Sequence, residues 1–379
     1  MNYTAINLSQ IQDVKNVISD EILITAAGVT EQMWENLGIV FKSGIENKFT
    51  QYIYAGNYKG SAPKYHGSTL NNSLGEMIPR HLVVKSIWNR VPDSLDNYYE
   101  TAPISMAKLS EEGVTAENTQ FHLLRAAEQT SSQVRQNFFL GKRPANKTAY
   151  DALPEDEKEY ALYDGIFENI ANMIAGKTDE DKDAQGQPLI SEENGNLIPT
   201  EPLLGASDPV ETYDNVVDFY QALSGSLVSN NETIYFYVSD KLMTKIRQGY
   251  NLKYKGMQTP DVNKPEFRFT DMPNVEFKYH AVFGYGDCII ATKEDNLFYG
   301  TDISTDGEPN KAFIDVSKDP NDAHNIVIQI DLRAGTLIMD PTKGAFATNG
   351  EKNYPSYQKW LEKQAQVLPT EKEPVVDSE

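Results

Sequence analysis

Apolar residues recur every three to four positions near the start of the chain, at Ile11, Val14, Ile18 and Ile22, the spacing of one helical face. The pattern breaks at Ala26-Ala27-Gly28. Thr30 is placed to cap a second helix with Glu31 in its first turn, and Trp34, Leu37, Phe41 and Ile45 supply an apolar stripe. Neither segment is large enough to form a core alone. From Phe49 the pattern changes to β-branched and aromatic runs broken by turn residues: FTQYIYAG, NYKGSAPKYHGSTLNNSLG, RHLVVKSIW and RVPDSLDNYYET. The Gly-, Ser-, Asn- and Lys-rich middle run has no apolar face. It predicts a long β-excursion that needs a neighbour to cover it.

Thr115 is placed to cap the strongest helix, in which Phe121, Leu124, Ala127, Val134 and Phe138 share a face until Gly141 and Pro144 stop it. At 1.5 Å per residue such a helix spans roughly 35 to 40 Å, a beam suited to a thin molecule. A second helix is predicted over EYALYDGIFENIANMIAG, ending at Gly176. Residues 177–201 are polar, acidic and turn-rich, an internal linker. Beyond it, Asp208-Pro209-Val210-Glu211 combines an N-cap, a proline at the first helical position and a capping-box acid. Strands and helices then alternate. TIYFYVS is read as a strand, KLMTKIRQGYNLKY as a helix and VEFKYHAVFGYGDCIIAT as paired strands. NLFYGTDI and KAFIDV are short strands, NIVIQIDLRAGTLIMD is a closing hairpin, and the end of the chain is a polar tail.

With 379 residues, two or three structural units are expected. Apolar residues at 40% and charged residues at 23% place the chain among folded globular proteins. No run approaches the ~20 apolar residues of a membrane-spanning helix, and the N-terminus lacks the order of a signal peptide. A net charge of −21 repels phosphate backbones. It suits a soluble surface, or a wall that encloses nucleic acid without gripping it.

Chemistry is sparse. Cys288 is the only cysteine, flanked by Ile289 and Ile290, and is read as a small buried apolar side chain. His66, His81, His122, His280 and His324 are scattered without metal-helix spacing. Gly284-Tyr285-Gly286, followed by Asp287, reads as a bulge or tight turn. Acidic clusters at Glu111-Glu112 and Glu155-Asp156-Glu157 read as solvated surface. Asp181, Asp183, Gln185 and Glu192 follow the spacing of a calcium loop, with Gly186 between them. Gln185 and Pro188 depart from that pattern, and a flexible acidic linker is the favoured reading. No catalytic residue, cofactor or metal is expected.

The order of pieces resembles the major capsid proteins of tailed bacteriophages, the Hong Kong ninety-seven fold that encapsulin shells share. ALYDGIFENIA at 161–171 and ATKEDNLFYGTDI at 291–303 resemble segments of coat proteins from phages of Bacteroides-like hosts. The resemblance implies an α+β fold. Residues 1–48 would be an N-terminal arm, 49–101 an extended β-loop, and 102–199 a peripheral domain with its spine helix at 115–140 and acidic linker at 177–201. Residues 200–322 would be an axial domain, 323–345 strands returning to the peripheral domain, and 346–379 a tail.

It further implies a self-assembling, non-enzymatic virion subunit. Copies would form the hexamers and pentamers of an icosahedral head, assembled in host cytoplasm and enclosing double-stranded DNA without specific binding. Portal, scaffolding and head-decoration proteins are the implied partners, with scaffolding expected on a separate protein and no membrane involved. Lys59 and Lys64 lie in the proposed loop, but nothing selects a crosslinking pair. The residues leave open an encapsulin-like nanocompartment, a carbohydrate-active enzyme using acids in 200–320, and a calcium-stabilised binding module.

Overall fold

The structure is a computed structural model and describes residues 8–28, 31–55, 76–94, 116–183, 186–201, 203, 206, 208–228, 232–255, 268–280, 283, 288–304, 312–319 and 325–347. The expected caps Thr30 and Thr115, the Gly284–Asp287 segment, Lys59, Lys64, His66, His324, Glu111-Glu112 and the tail from residue 348 lie outside these residues. In chain order the elements are α1 (Leu8–Ala26), α2 (Glu31–Leu37), β1 (Val40–Lys42), β2 (Lys48–Ala55), β3 (Glu76–Val83), β4 (Lys85–Ser94), α3 (Ala116–Leu140), α4 (Lys147–Asp151) and α5 (Glu155–Lys158). There follow α6 (Ile166–Ala175), β5 (Leu197–Ile198), α7 (Pro209–Gln221), α8 (Gly225–Val228), β6 (Ile234–Val238), α9 (Asp240–Lys253), β7 (Val275–Tyr279), β8 (Ile290–Lys293), β9 (Leu297–Thr301), β10 (Phe313–Lys318), β11 (Asn325–Ile338) and β12 (Gly344–Ala347). The chain divides into two compact units, Met1–Ile166 with Glu294–Asp340, and Phe167–Lys293 with Pro341–Glu379.

The first unit is built on β11, a single strand of 14 residues where the sequence suggested a hairpin. Gly335, within this run, sits in extended register opposite Gly300 of β9. The sheet runs β1-β9-β11-β10, and β4 pairs with β11 on the edge away from β9 and β10. Ile326, Ile328, Ile330 and Leu332 alternate onto one buried face, the period of a half-covered strand. Helices α1 and α3 cover that face, where Asn89 of β4 donates from Nδ2 to Thr130 Oγ1 of α3 at 2.8 Å.

The buried stripe of α3 matches the sequence expectation at Ala127, Val134 and Phe138 and departs from it in the first turns. Leu123, Ala127, Val134 and Phe138 are buried, together with His122, Thr130, Ser131 and Asn137, while Phe121 and Leu124 are only half-buried. The N-terminal arm supplies part of this core. Trp34 is fully buried, stacked on Tyr299 at 4.6 Å and tilted against Phe138 at 5.0 Å. Its indole donates to Gly28 O at 3.0 Å, and the Tyr299 hydroxyl donates to Ala27 O at 2.7 Å.

The second unit holds a sheet in the order β5-β12-β8-β6-β7. All five residues of β6, IYFYV, are buried, as expected of a strand flanked on both edges. β7 and β8, expected as a pair, instead pair with β6 from opposite sides, in parallel and antiparallel fashion respectively. Helix α7 begins as expected, with the Asp208 side chain accepting from Val210 N and Pro209 in the first turn. Helix α9 is capped by Ser239, whose hydroxyl accepts from Leu242 N at 3.2 Å. The two helices pack together over Tyr213, Val216, Leu242, Ile246 and Tyr250.

The division of the chain differs from the sequence-based one. Residues 297–301 and 313–318, placed in an axial range of 200–322, pair in the sheet of the first unit. Residues 344–347 pair with β5 and β8 of the second unit. Among the described residues of the range 49–101, 85–94 form a strand of the first unit's sheet, while 49–55 and 76–83 pair with each other as an extension.

Candidate assembly surfaces

The extension is an antiparallel ribbon of β2 and β3, a two-stranded sheet of its own, with register from Lys48 opposite Val83 to Ala55 opposite Glu76. Alternation gives it two faces. Phe49 and Leu82, Gln51 and Arg80, and Ile53 and Ile78 share one. Lys48 and Val83, Thr50 and His81, and Tyr52 and Pro79 share the other, where Tyr52 is 54% exposed. A two-stranded ribbon is marginal in water, so an exposed aromatic on its open face is surface awaiting cover.

The root of the ribbon is tightly held. Val84 N donates to Asn47 O at 3.1 Å, Ile45 N to Thr301 O at 2.9 Å, and Gly44 N to Ile303 O at 3.0 Å. Leu82, Ile45 and Val84 join Phe298, Leu337 and Met339 in a small apolar cluster. The buried Arg80 donates from Nη2 to Ile338 O at 3.3 Å. Arg333 of β11 donates from Nη1 to Asn47 Oδ1 at 2.6 Å and to the carbonyl of Glu46. Its own backbone N–H donates to Asp302 Oδ1 at 2.8 Å. Burial lifts the Asp302 carboxyl above its ordinary range, although the Arg333 N–H and guanidinium pull the other way. Sequence reading missed Arg333. Its signal was a basic residue two positions from Asp331 in the otherwise uncharged run IQIDLRAGTLI.

The face of the first sheet away from α1 and α3 carries two more exposed aromatics. Trp88 of β4 and Phe313 of β10 are register partners of the same residue, Asp331, and are 59% and 46% exposed. A corner at the end of α3 fixes the segment ALYDG. Asn137 donates from Nδ2 to Gln133 O at 2.8 Å and to Glu159 O at 2.7 Å, and its Oδ1 accepts from Leu162 N at 3.1 Å. The fully buried Tyr163 donates its hydroxyl to Val134 O, and burial raises its pKa well above the usual phenol value. Asp164 Oδ1 accepts from Arg143 N at 2.9 Å. A Cβ on Gly165 would lie 2.5 Å from Asn137 O and 2.7 Å from Gly141 N, so the lack of a side chain lets this segment approach the end of α3 just before α6 begins at Ile166. In ATKEDNLFYGTDI, the buried Asn296 donates to Asp340 O at 2.9 Å and accepts from Asp340 N at 2.6 Å.

No family model matches the sequence, and no curated protein matches it. Solved structures do. A chain of the satellite phage P4 procapsid with its size determination (Sid) protein aligns at a TM-score of 0.50 and 13% identity, over 84% of this chain and 90% of that one. The fold is that of a phage procapsid chain. The capsid asymmetric unit of cyanophage A-1(L) aligns at 0.49 and 8% identity over 83% and 92% of the two chains. A virus-like particle from Pyrococcus furiosus aligns at 0.41 and 8% identity over 86% and 96%.

Two of the calcium-loop residues, Asp181 and Asp183, accept hydrogen bonds within their own turns. Asp181 Oδ2 accepts from Thr178 N at 3.0 Å and from its hydroxyl at 2.7 Å, capping a short 3-10 turn at Asp179–Asp181. Asp183 Oδ1 accepts from Gln187 N at 2.8 Å, Glu192 is exposed, and Gln185 lies outside the described residues. Among the described residues no group of three metal-ligating side chains comes together. Cys288 is buried. Glu155, Asp156 and Glu157 are the first turn of α5, where acids favour the helix N-terminus, and Lys158 pairs with Glu155 at 2.5 Å. No helix among the described residues is long and apolar enough to cross a membrane.

Proposed function

We propose that this chain is a major capsid protein, a structural subunit whose copies form the hexamers and pentamers of an icosahedral phage head around double-stranded DNA. The observation that carries this is the capsid fold, combined with a ribbon whose Tyr52–Pro79 face is open to solvent. Heterologous contacts, in which one patch meets a different patch on the next copy, close into rings. A ribbon reaching onto the next copy is such a contact. We assign no catalytic residue, because contact surfaces perform the work. From the start of β2 to the end of β3, residues 48–83 include Lys48, Lys59, Lys64 and Arg80 against one carboxylate, Glu76, in a chain with 55 acidic residues. The ribbon is therefore the electrostatic complement of the acidic body of another copy. The predominantly acidic surface disfavours tight binding of the enclosed DNA. Portal, scaffolding and decoration proteins are proposed partners, and the virion is the proposed location.

Replacing residues 56–75 by a two-residue turn tests the ribbon's part. Light scattering should show large assemblies for the full chain and only monomers or small oligomers for the shortened one. Equal assembly by both would overturn the ribbon contact.

A further inference from the structure

The ribbon root crosses the first sheet at a rung that carries no side chains. Gly335 of β11 and Gly300 of β9 are register partners. A Cβ on Gly335 would lie 2.3 Å from Val83 O, and one on Gly300 would lie 2.6 Å from Leu82 Cδ2 and 2.7 Å from Ile45 Cδ1. The backbone and Leu82 of the ribbon thus occupy the space that two side chains would fill. On one side of this slot Arg333 reaches Glu46 and Asn47, which lead into β2. On the other, Arg80 of β3 reaches Ile338 O. Asp302 fixes the backbone of Arg333 itself, accepting its N–H.

We propose that the direction of the ribbon is set inside the single chain, with the Gly300–Gly335 rung as its seat and Arg333 and Arg80 as the bolts on either side. The ribbon is then a preorganised strut and not an arm that acquires its direction on docking. Preorganisation lowers the ordering cost of association. It also makes the exit angle a property of the monomer, so that altered seating changes the curvature of whatever the copies build. This consequence for particles rests on the assembly reading above; the seat itself does not.

Hydrogen exchange on the unassembled full chain tests the seat without requiring particles. In the wild type, root amides of Phe49–Gln51 and Arg80–Leu82 should be protected. Arg333→Ala should speed their exchange about tenfold, the loss of hydrogen bonds from a charged donor, and Arg333→Lys should fall between. Gly335→Ala, whose Cβ displaces Val83, should act in the same direction. If that variant does not fold, Arg333→Ala carries the test. Wild-type root amides that exchange as unpaired backbone, or an Arg333→Ala chain with unchanged protection, would overturn the proposal. Protected root amides in a chain that never assembles would leave the seat standing and remove only the assembly reading. Where particles form, Arg333→Ala particles should differ in diameter from wild type, and identical diameters would overturn the claim about curvature.

Discussion

Two carboxylates show how the same side chain acquires opposite pH dependence from its surroundings. At Glu276 burial pulls the pKa up, but the hydrogen bond and charge of Lys278 and the Arg268 guanidinium at 2.6 Å bring it below the ordinary value. A depressed folded-state pKa gives stability that is present above the unfolded value and lost as pH falls through the folded one. At Asp302 burial dominates and the pKa is raised. The folded state then binds the proton more readily than the unfolded chain, so its unfavourable contribution is relieved as pH falls through the raised value. Thermal melts from neutral to acid pH should show Glu276→Gln losing stability at neutral pH and converging on wild type in acid. Asp302→Asn should hold its own at neutral pH and fall behind wild type as pH drops. Parallel curves for both variants would contradict these assignments. Neither residue was legible in the sequence, because each effect depends on partners brought close by the sheet. Trp34 and the caps Asp208 and Ser239 belong to local patterns. Of these, the sequence reading named Trp34 and Asp208 and passed over Ser239.

Among the elements, α3 joins the best and the worst of what a sequence shows. Its existence and its end near Gly141 follow from periodicity and stop signals, and the helix occupies Ala116–Leu140. Its buried face includes Ala127, Val134 and Phe138 as expected, and the sequence does not show that Thr130 and Asn137 join it, because they look polar yet are buried through specific hydrogen bonds. Asn137→Ala should leave Glu159 O and Leu162 N without their partner. It should cost about 2 to 3 kcal/mol in denaturant unfolding, more than the ~1 kcal/mol of one ordinary hydrogen bond. A change below ~0.5 kcal/mol, the range of surface substitutions, would show that the corner does not support the helix. The strands failed in sequence for a related reason. The run expected as a hairpin is the single strand β11, in which Gly335 makes no turn and its lack of a side chain serves the close approach of Val83.

At the scale of the whole molecule, the sequence conveyed the α+β class and the likeness to capsid proteins. It did not convey the division of the chain. Each unit takes strands distant in sequence, β9, β10 and β11 in the first and β12 in the second, and pairing between remote segments leaves no local signature. The net-basic ribbon, in which Glu76 stands against Lys48 and Arg80, and the acidic body predict assembly weakened by salt, because exposed charges are screened beyond a Debye length of about 8 Å at physiological ionic strength. The concentration needed for assembly, followed by light scattering, should rise between low salt and about 0.5 M, where the Debye length is shorter still. A fall would show that apolar contacts, strengthened by salt, dominate. The central claim is tested most directly by electron microscopy of the purified full chain, produced alone and together with the products of its neighbouring genes. The account predicts closed shells, or rings of five and six copies; a chain that stays monomeric under every condition, including co-production, would contradict it.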